Sequence, residues 1–163
     1  MPSLIHLETG WKTPPTRYSQ LKEVSDYWDA RRCKRRRPSR ADINPRDLRK
    51  ALSDLFLIDV DGREFRFRLA GSNFAMSTGR RMTGDAIEEI FPPAYCEEVR
   101  NAWADCVGRS TTVFGSGRMW MPERSFLHWQ GIVLPLGGEH EAPNMLLGAI
   151  VFSAQEGGRP FYY

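Results

Sequence analysis

The chain has no long apolar run. Nowhere in its 163 residues is there a stretch approaching the roughly 18 consecutive apolar residues that a membrane-spanning helix requires. Residues 1–10 carry no basic segment followed by an apolar one, so no secretory leader is expected. The three cysteines, at 33, 96 and 106, are odd in number and fit neither metal-ligand spacing nor a disulfide framework. That suits a reducing, cytoplasmic setting. The histidines His6, His128 and His140 are scattered rather than grouped. There is no Gly-Xaa-Ser-Xaa-Gly elbow, and Gly115-Ser116-Gly117 lies in a strand-like run instead of a strand-to-helix turn. No glycine-rich loop ends in Lys-Ser/Thr. The carboxylate pairs Glu88-Glu89, Glu97-Glu98 and Glu139/Glu141 read as solvated faces. These absences weigh against metal, nucleophilic and nucleotide-hydrolysing chemistry, and no catalytic residue is assigned.

What is present is an ordinary globular composition. Apolar residues make up 41% and charged residues 26%, enough for one domain with its own core. The net charge of +3 hides an asymmetry. Residues 31–40 (RRCKRRRPSR) hold seven of the 23 basic residues and no acid, leaving 16 basic against 20 acidic residues elsewhere. An anionic partner would meet the chain at Arg31, Arg32, Lys34, Arg35, Arg36, Arg37 and Arg40. The plainer reading is a solvated helix end, and no helix-turn-helix or zinc-finger pattern surrounds the run.

Residues 1–16, closing on Pro14-Pro15, are expected to be a flexible tail, with Leu4, Ile5, Leu7 and Trp11 available to dock. Tyr18, Leu21, Val24 and Trp28 form one stripe and predict a helix over 17–36, stopped by Pro38. Asp42 or Asn44 caps a short helix begun by Pro45. Leu55–Val60 reads as a buried strand. Asp61-Gly62 reads as the turn of a hairpin, whose return strand, 64–70, places Phe65, Phe67 and Leu69 on one face. Short helical pieces follow, with Ser72 or Asn73 as a cap. Residues 94–108 are the strongest helix, with Cys96, Val99, Trp103 and Cys106 on its stripe. Three strands, 111–121, 125–136 and 144–153, close the pattern. The last is apolar on both faces, so its sheet must be covered on both. The order of elements is that of an α+β fold.

The ordered motifs Tyr27-Trp28-Asp29, the octapeptide from Pro38 to Pro45, Leu55–Val60, Phe65–Gly71, Thr83-Gly84 and Leu134-Pro135-Leu136 resemble the PAS superfamily. More closely, they resemble the PAS_5 family of short alphaproteobacterial proteins, over about residues 20–153. The resemblance implies a five-stranded antiparallel sheet in the order 2-1-5-4-3, with helices on one face and the N-terminal helix on or near the other. It implies a single PAS-like domain at 17–155 (helix and basic segment 17–37, core 41–155), between tails at 1–16 and 156–163. It implies a non-enzymatic sensory or regulatory module acting by protein–protein interaction, with a homodimer and a separate signalling protein as partners.

A small ligand between sheet and helices is compatible with the family. Phe67, Leu69, Phe74, Trp103, Cys106 and Trp129 are the candidates to line its pocket, and filling the core is the commoner fate of such residues. Phe65 and Trp120 stand beside them. Tyr18, Leu21, Val24 and Trp28 are candidates either to cover the sheet or to form a dimer. No cofactor is expected. Haem would rest on a lone strand histidine, His128. Ala70-Gly71-Ser72-Asn73-Phe74-Ala75 lacks the cysteine of the photoactive flavin proteins of this fold. Binding of nucleic acid or an anionic nucleotide through 31–40 is the alternative function.

Overall fold

In a computed structural model describing residues 3–161, all six strands belong to one antiparallel sheet. They are β1 (Ile5–Thr9), β2 (Leu55–Asp61), β3 (Glu64–Ala70), β4 (Val113–Arg118), β5 (His128–Leu136) and β6 (Met145–Ser153). Their spatial order is β1-β4-β5-β6-β2-β3. The six-stranded order departs from the five-stranded expectation by β1, which adds at one edge; the other five strands keep the expected order 2-1-5-4-3, read from the opposite edge. Without β1, the remaining strands lie third, fourth, fifth, first and second across the sheet.

The added strand comes from the segment expected to be a flexible tail. Ile5, His6, Leu7, Glu8 and Thr9 pair with Gly117 through Val113. Two further contacts hold β1 in place. Ile5 is buried in the core, and the Glu98 carboxylate accepts from the Leu4 amide (2.9 and 3.0 Å) and from the Ser3 hydroxyl. The end of the chain is also docked: the Phe161 amide donates to Phe152 O (2.8 Å), and Tyr18 donates to Gly158 O (2.8 Å). Residues 1, 2, 162 and 163 of the two expected tails lie outside the described residues.

Alternation along the strands gives the sheet two apolar faces, as strand geometry requires. The inner face presents Phe56, Ile58, Phe65, Phe67, Val133, Ile150 and Phe152. It packs beneath α2 (Ser72–Thr78), α3 (Ile87–Ile90) and α4 (Pro93–Arg109). The outer face presents Leu55, Leu57, Phe114, Ile132, Leu134, Leu147 and Val151. It is covered by α1 (Ser19–Arg32) together with Ile43, Leu48 and Ala51.

Tyr18, Leu21, Val24 and Trp28 all lie in that outer core, and Trp28 Nε1 donates to Pro135 O (2.9 Å). The helix is shorter than 17–36 because Cys33 turns into positive φ (54°). Arg35 then folds back, donating to Arg31 O and Arg32 O. Its guanidinium satisfies carbonyls that a helix C-terminus otherwise leaves open.

Local capping follows the sequence with small shifts. Asp42 accepts from the Ser39 amide and hydroxyl, and Asn44 caps the turn begun by Pro45. The N-cap of α2 is Gly71, where a Cβ would sit 2.4 Å from Ser53 O. Asn73 instead donates to buried Asp54 (2.8 Å), whose carboxyl is pushed above its ordinary pKa by burial. The β2–β3 hairpin turns at Gly62-Arg63, one residue later than expected, because Asp61 is still paired with Glu64. Gly62 supplies the positive φ the turn needs.

Candidate functional site

A small apolar space lies between the inner face of the sheet and α4. Strand β4 contributes glycines there. Trp129 of β5 lies across Gly115 and Gly117, where an added Cβ would meet its ring at 3.1 and 3.3 Å. The close approach of a bare strand and an indole leaves room beyond the ring. Phe56, Phe74 and Trp103 form a second wall, with Phe56–Phe74 centroids 5.4 Å apart. Phe91, Tyr95 and Trp120 close the third, with Phe91 edge-on to Trp120 at 4.7 Å. Ile5 and Leu7 of β1 complete the edge. The cavity has a volume of about 60 Å³.

Its wall is apolar in surface, and the polar groups of Trp129 and Tyr95 in it are engaged. Trp129 Nε1 donates to the Tyr95 hydroxyl (2.7 Å) and to Arg118 O (3.2 Å). Burial pushes the Tyr95 phenol above its ordinary pKa, so it stays neutral. With the rest of the lining almost wholly aromatic and aliphatic carbon, the space favours a small apolar guest over a polar one.

Three of the six expected pocket residues, Phe74, Trp103 and Trp129, line this cavity. Phe67 is buried in the aromatic cluster behind it. Cys106 is fully buried, its thiol held neutral by burial and directed at Val133 O.

Leu69 is a correction: it is 43% exposed. Ile58 pairs with Phe67, but the next residue back on β2, Leu57, pairs with Leu69, two residues on. This bulge inserts one residue into β3. Leu69 therefore shares a face with Leu57, on the outer side, and not with Phe67. Of the two aromatics weighed beside the six, Trp120 lines the cavity and Phe65 does not.

Sequence periodicity did not single out Ile5, Leu7, Phe56, Phe91, Tyr95 or Ala102 as lining residues. The alternation Ile5-His6-Leu7-Glu8 was the available signal for β1, in a segment too short to be decisive.

The basic run is largely engaged internally. Arg31 pairs with Asp47 (3.1 Å) and lies over the Tyr27 ring. Arg32 pairs with Asp29 (2.7 Å) and lies over Trp28. Arg35 pairs with Asp42 (2.8 Å), and Arg40 donates to Ile43 O. Arg37 is 3% exposed, with its Nη atoms on Ser110 Oγ, Gly138 O and Glu141 O. Only Lys34 and Arg36 of the seven have no partner among the described residues. Among those residues, no group of three His, Cys, Asp or Glu is placed to hold a metal, and no helix is long and apolar enough to cross a membrane.

A family model described as PAS_5, PAS domain, matches residues 16–151. No curated protein matches the chain.

Proposed function

The chain belongs to the PAS_5 family of PAS domains, and from that membership we propose a cytoplasmic regulator that acts by protein–protein contact and is modulated by a small apolar guest. PAS domains are sensory modules and generally not catalysts. The observation that carries the reading is the cavity, where Trp129 and Tyr95 pair with each other and the lining surface is almost wholly aromatic and aliphatic carbon. At about 60 Å³ it admits a guest of few atoms and is far too small for haem or flavin. A guest biases the protein only by binding one arrangement better than another. The part best placed to differ is β1, which closes the cavity from outside the 16–151 match.

The outer face of the sheet is already covered by the chain's own α1, so the expected homodimer would use other surfaces. Exposed Leu52, Leu69, Met76 and Phe126 are available to it and to a separate signalling protein. Native mass spectrometry of the purified chain tests this. The reading expects a dimer in equilibrium with monomer as concentration rises. A monomer at every concentration removes the homodimer from it.

A further inference from the structure

A second concavity, distinct from the apolar cavity, lies at the C-terminal end of α1. It is a groove of about 540 Å³ between three segments that are distant in sequence. Gly10, Trp11 and Lys12 form one side. Ser25, Trp28, Asp29, Arg32 and Arg36 form the second, and Ser110, Thr111 and Thr112, between α4 and β4, form the third. Lys12 and Arg36 are exposed and have no partner among the described residues. Arg32 is balanced by Asp29.

The charge behind the groove is unbalanced in an unusual way. Arg37 is buried, yet no carboxylate pairs with it among the described residues, and its Nε has no partner. Its nearest anchors are a hydroxyl and two carbonyls. A buried cation without a counter-charge is costly. Burial and neighbouring Arg36 both disfavour its charged form, with Glu139 only partly opposing them. Ser110 Oγ accepts from Arg37 Nη1 (3.1 Å), which leaves the Ser110 hydroxyl proton free to donate onward. Ser110 lines the groove. An anion bound at Ser110 would stand one hydroxyl away from Arg37 and share the groove with the free charges of Lys12 and Arg36.

We propose that this groove binds a phosphate monoester of a small molecule. Its phosphate would be held by Lys12, Arg36 and the hydroxyls of Ser110 and Thr111, and its apolar body would rest against Trp11. Phosphate fits better than carboxylate because two free cations and several hydroxyls, from three separate segments, line the same groove. A phosphate offers three acceptor oxygens and nearly two charges. Nucleic acid fits poorly. A duplex wants a row of free cations, and five of the seven in 31–40 are engaged within the chain. A bound phosphate would join the segment that leaves α1, the cover of the outer face, to the end of α4 on the inner face. The site is therefore suited to regulate how firmly that cover is held.

The test is an amide NMR titration of the full chain with phenyl phosphate, inorganic phosphate and a short DNA duplex. The expected result is saturable shifts at 10–12, 36 and 110–112 with phenyl phosphate, tighter than with inorganic phosphate. In the Lys12→Ala/Arg36→Ala variant the affinity should fall about tenfold or more. The melting temperature should be unchanged, since both side chains are exposed and unpaired. Three results would overturn the proposal: no saturable shifts with phenyl phosphate, shifts that the double substitution leaves intact, or binding of the duplex alone.

Discussion

Replacing Trp28 with aspartate is expected to remove most of the protein's folding stability. The Trp28 ring is 6% exposed in the outer core, its indole N–H is bonded to Pro135 O, and Arg32 lies over its face. Truncating a buried tryptophan costs about 3–5 kcal/mol. A carboxylate in its place adds the cost of a buried, unpaired charge and strands the Pro135 carbonyl. Domains of this kind hold only about 5–15 kcal/mol in total. Urea unfolding should show a midpoint near zero denaturant, or no cooperative transition. Because Trp28 is buried against its own sheet, a variant that melted normally and lost only self-association would place α1 on another copy instead.

Gly148→Ala should be the most damaging single-methyl addition in the sheet. Gly148 pairs with Phe56 across β6 and β2. The Phe56 ring lies over the bare Cα, so that a Cβ would meet three ring carbons at 2.0, 2.2 and 2.5 Å. The ring can retreat only toward the small cavity it lines, being hemmed in elsewhere by other aromatics. Phe74 stacks on it at 5.4 Å, and Phe67 and Trp103 flank it at 6.0 and 6.1 Å. Overpacking of a filled core typically costs about 1–3 kcal/mol, and this contact lies at or beyond the upper end. A double-mutant cycle identifies the cause. Phe56→Leu vacates ring volume, so combining it with Gly148→Ala should cost clearly less than the two separate losses added together. Simple addition would mean that the methyl acts on the strand backbone and not on the ring.

Much of this architecture is written in side-chain periodicity. The stripe of Tyr18, Leu21, Val24 and Trp28 called for a surface to bury it, and the doubly apolar strand 144–153 called for two covers. The structure joins one to the other. The stripe of α4 and the aromatic alternation of Phe65 and Phe67 likewise lead to the inner core. What periodicity could not convey was anything decided by a single residue or by distant pairing. The extra residue between Phe67 and Leu69 reverses a face without altering the alternation that precedes it. The strand Ile5–Thr9 becomes ordered through β4 and Glu98, more than 90 positions away. In the basic run, seven cations look alike in sequence. Their partners Asp42, Asp47 and the carbonyls at 138 and 141 sort them into structural and free. The cavity was legible only in part. Trp103, Phe74 and Trp129 stood out as aromatics, whereas Ala102 and the glycines of β4 matter there for what they lack.

The central claim is that the space between sheet and helices receives a small apolar guest. It is tested most directly by titrating the protein with xenon and following its methyl NMR signals. Apolar cavities stay dry and take up such guests. The account predicts saturable shifts confined to methyls at the cavity, including Ile5, Leu7, Val99 and Val113, and a higher melting temperature under xenon. Both should vanish in Ala102→Val, which adds two carbons to the cavity wall. Shifts that are absent, or that persist unchanged in Ala102→Val, would contradict the claim and leave the inner core a filled one.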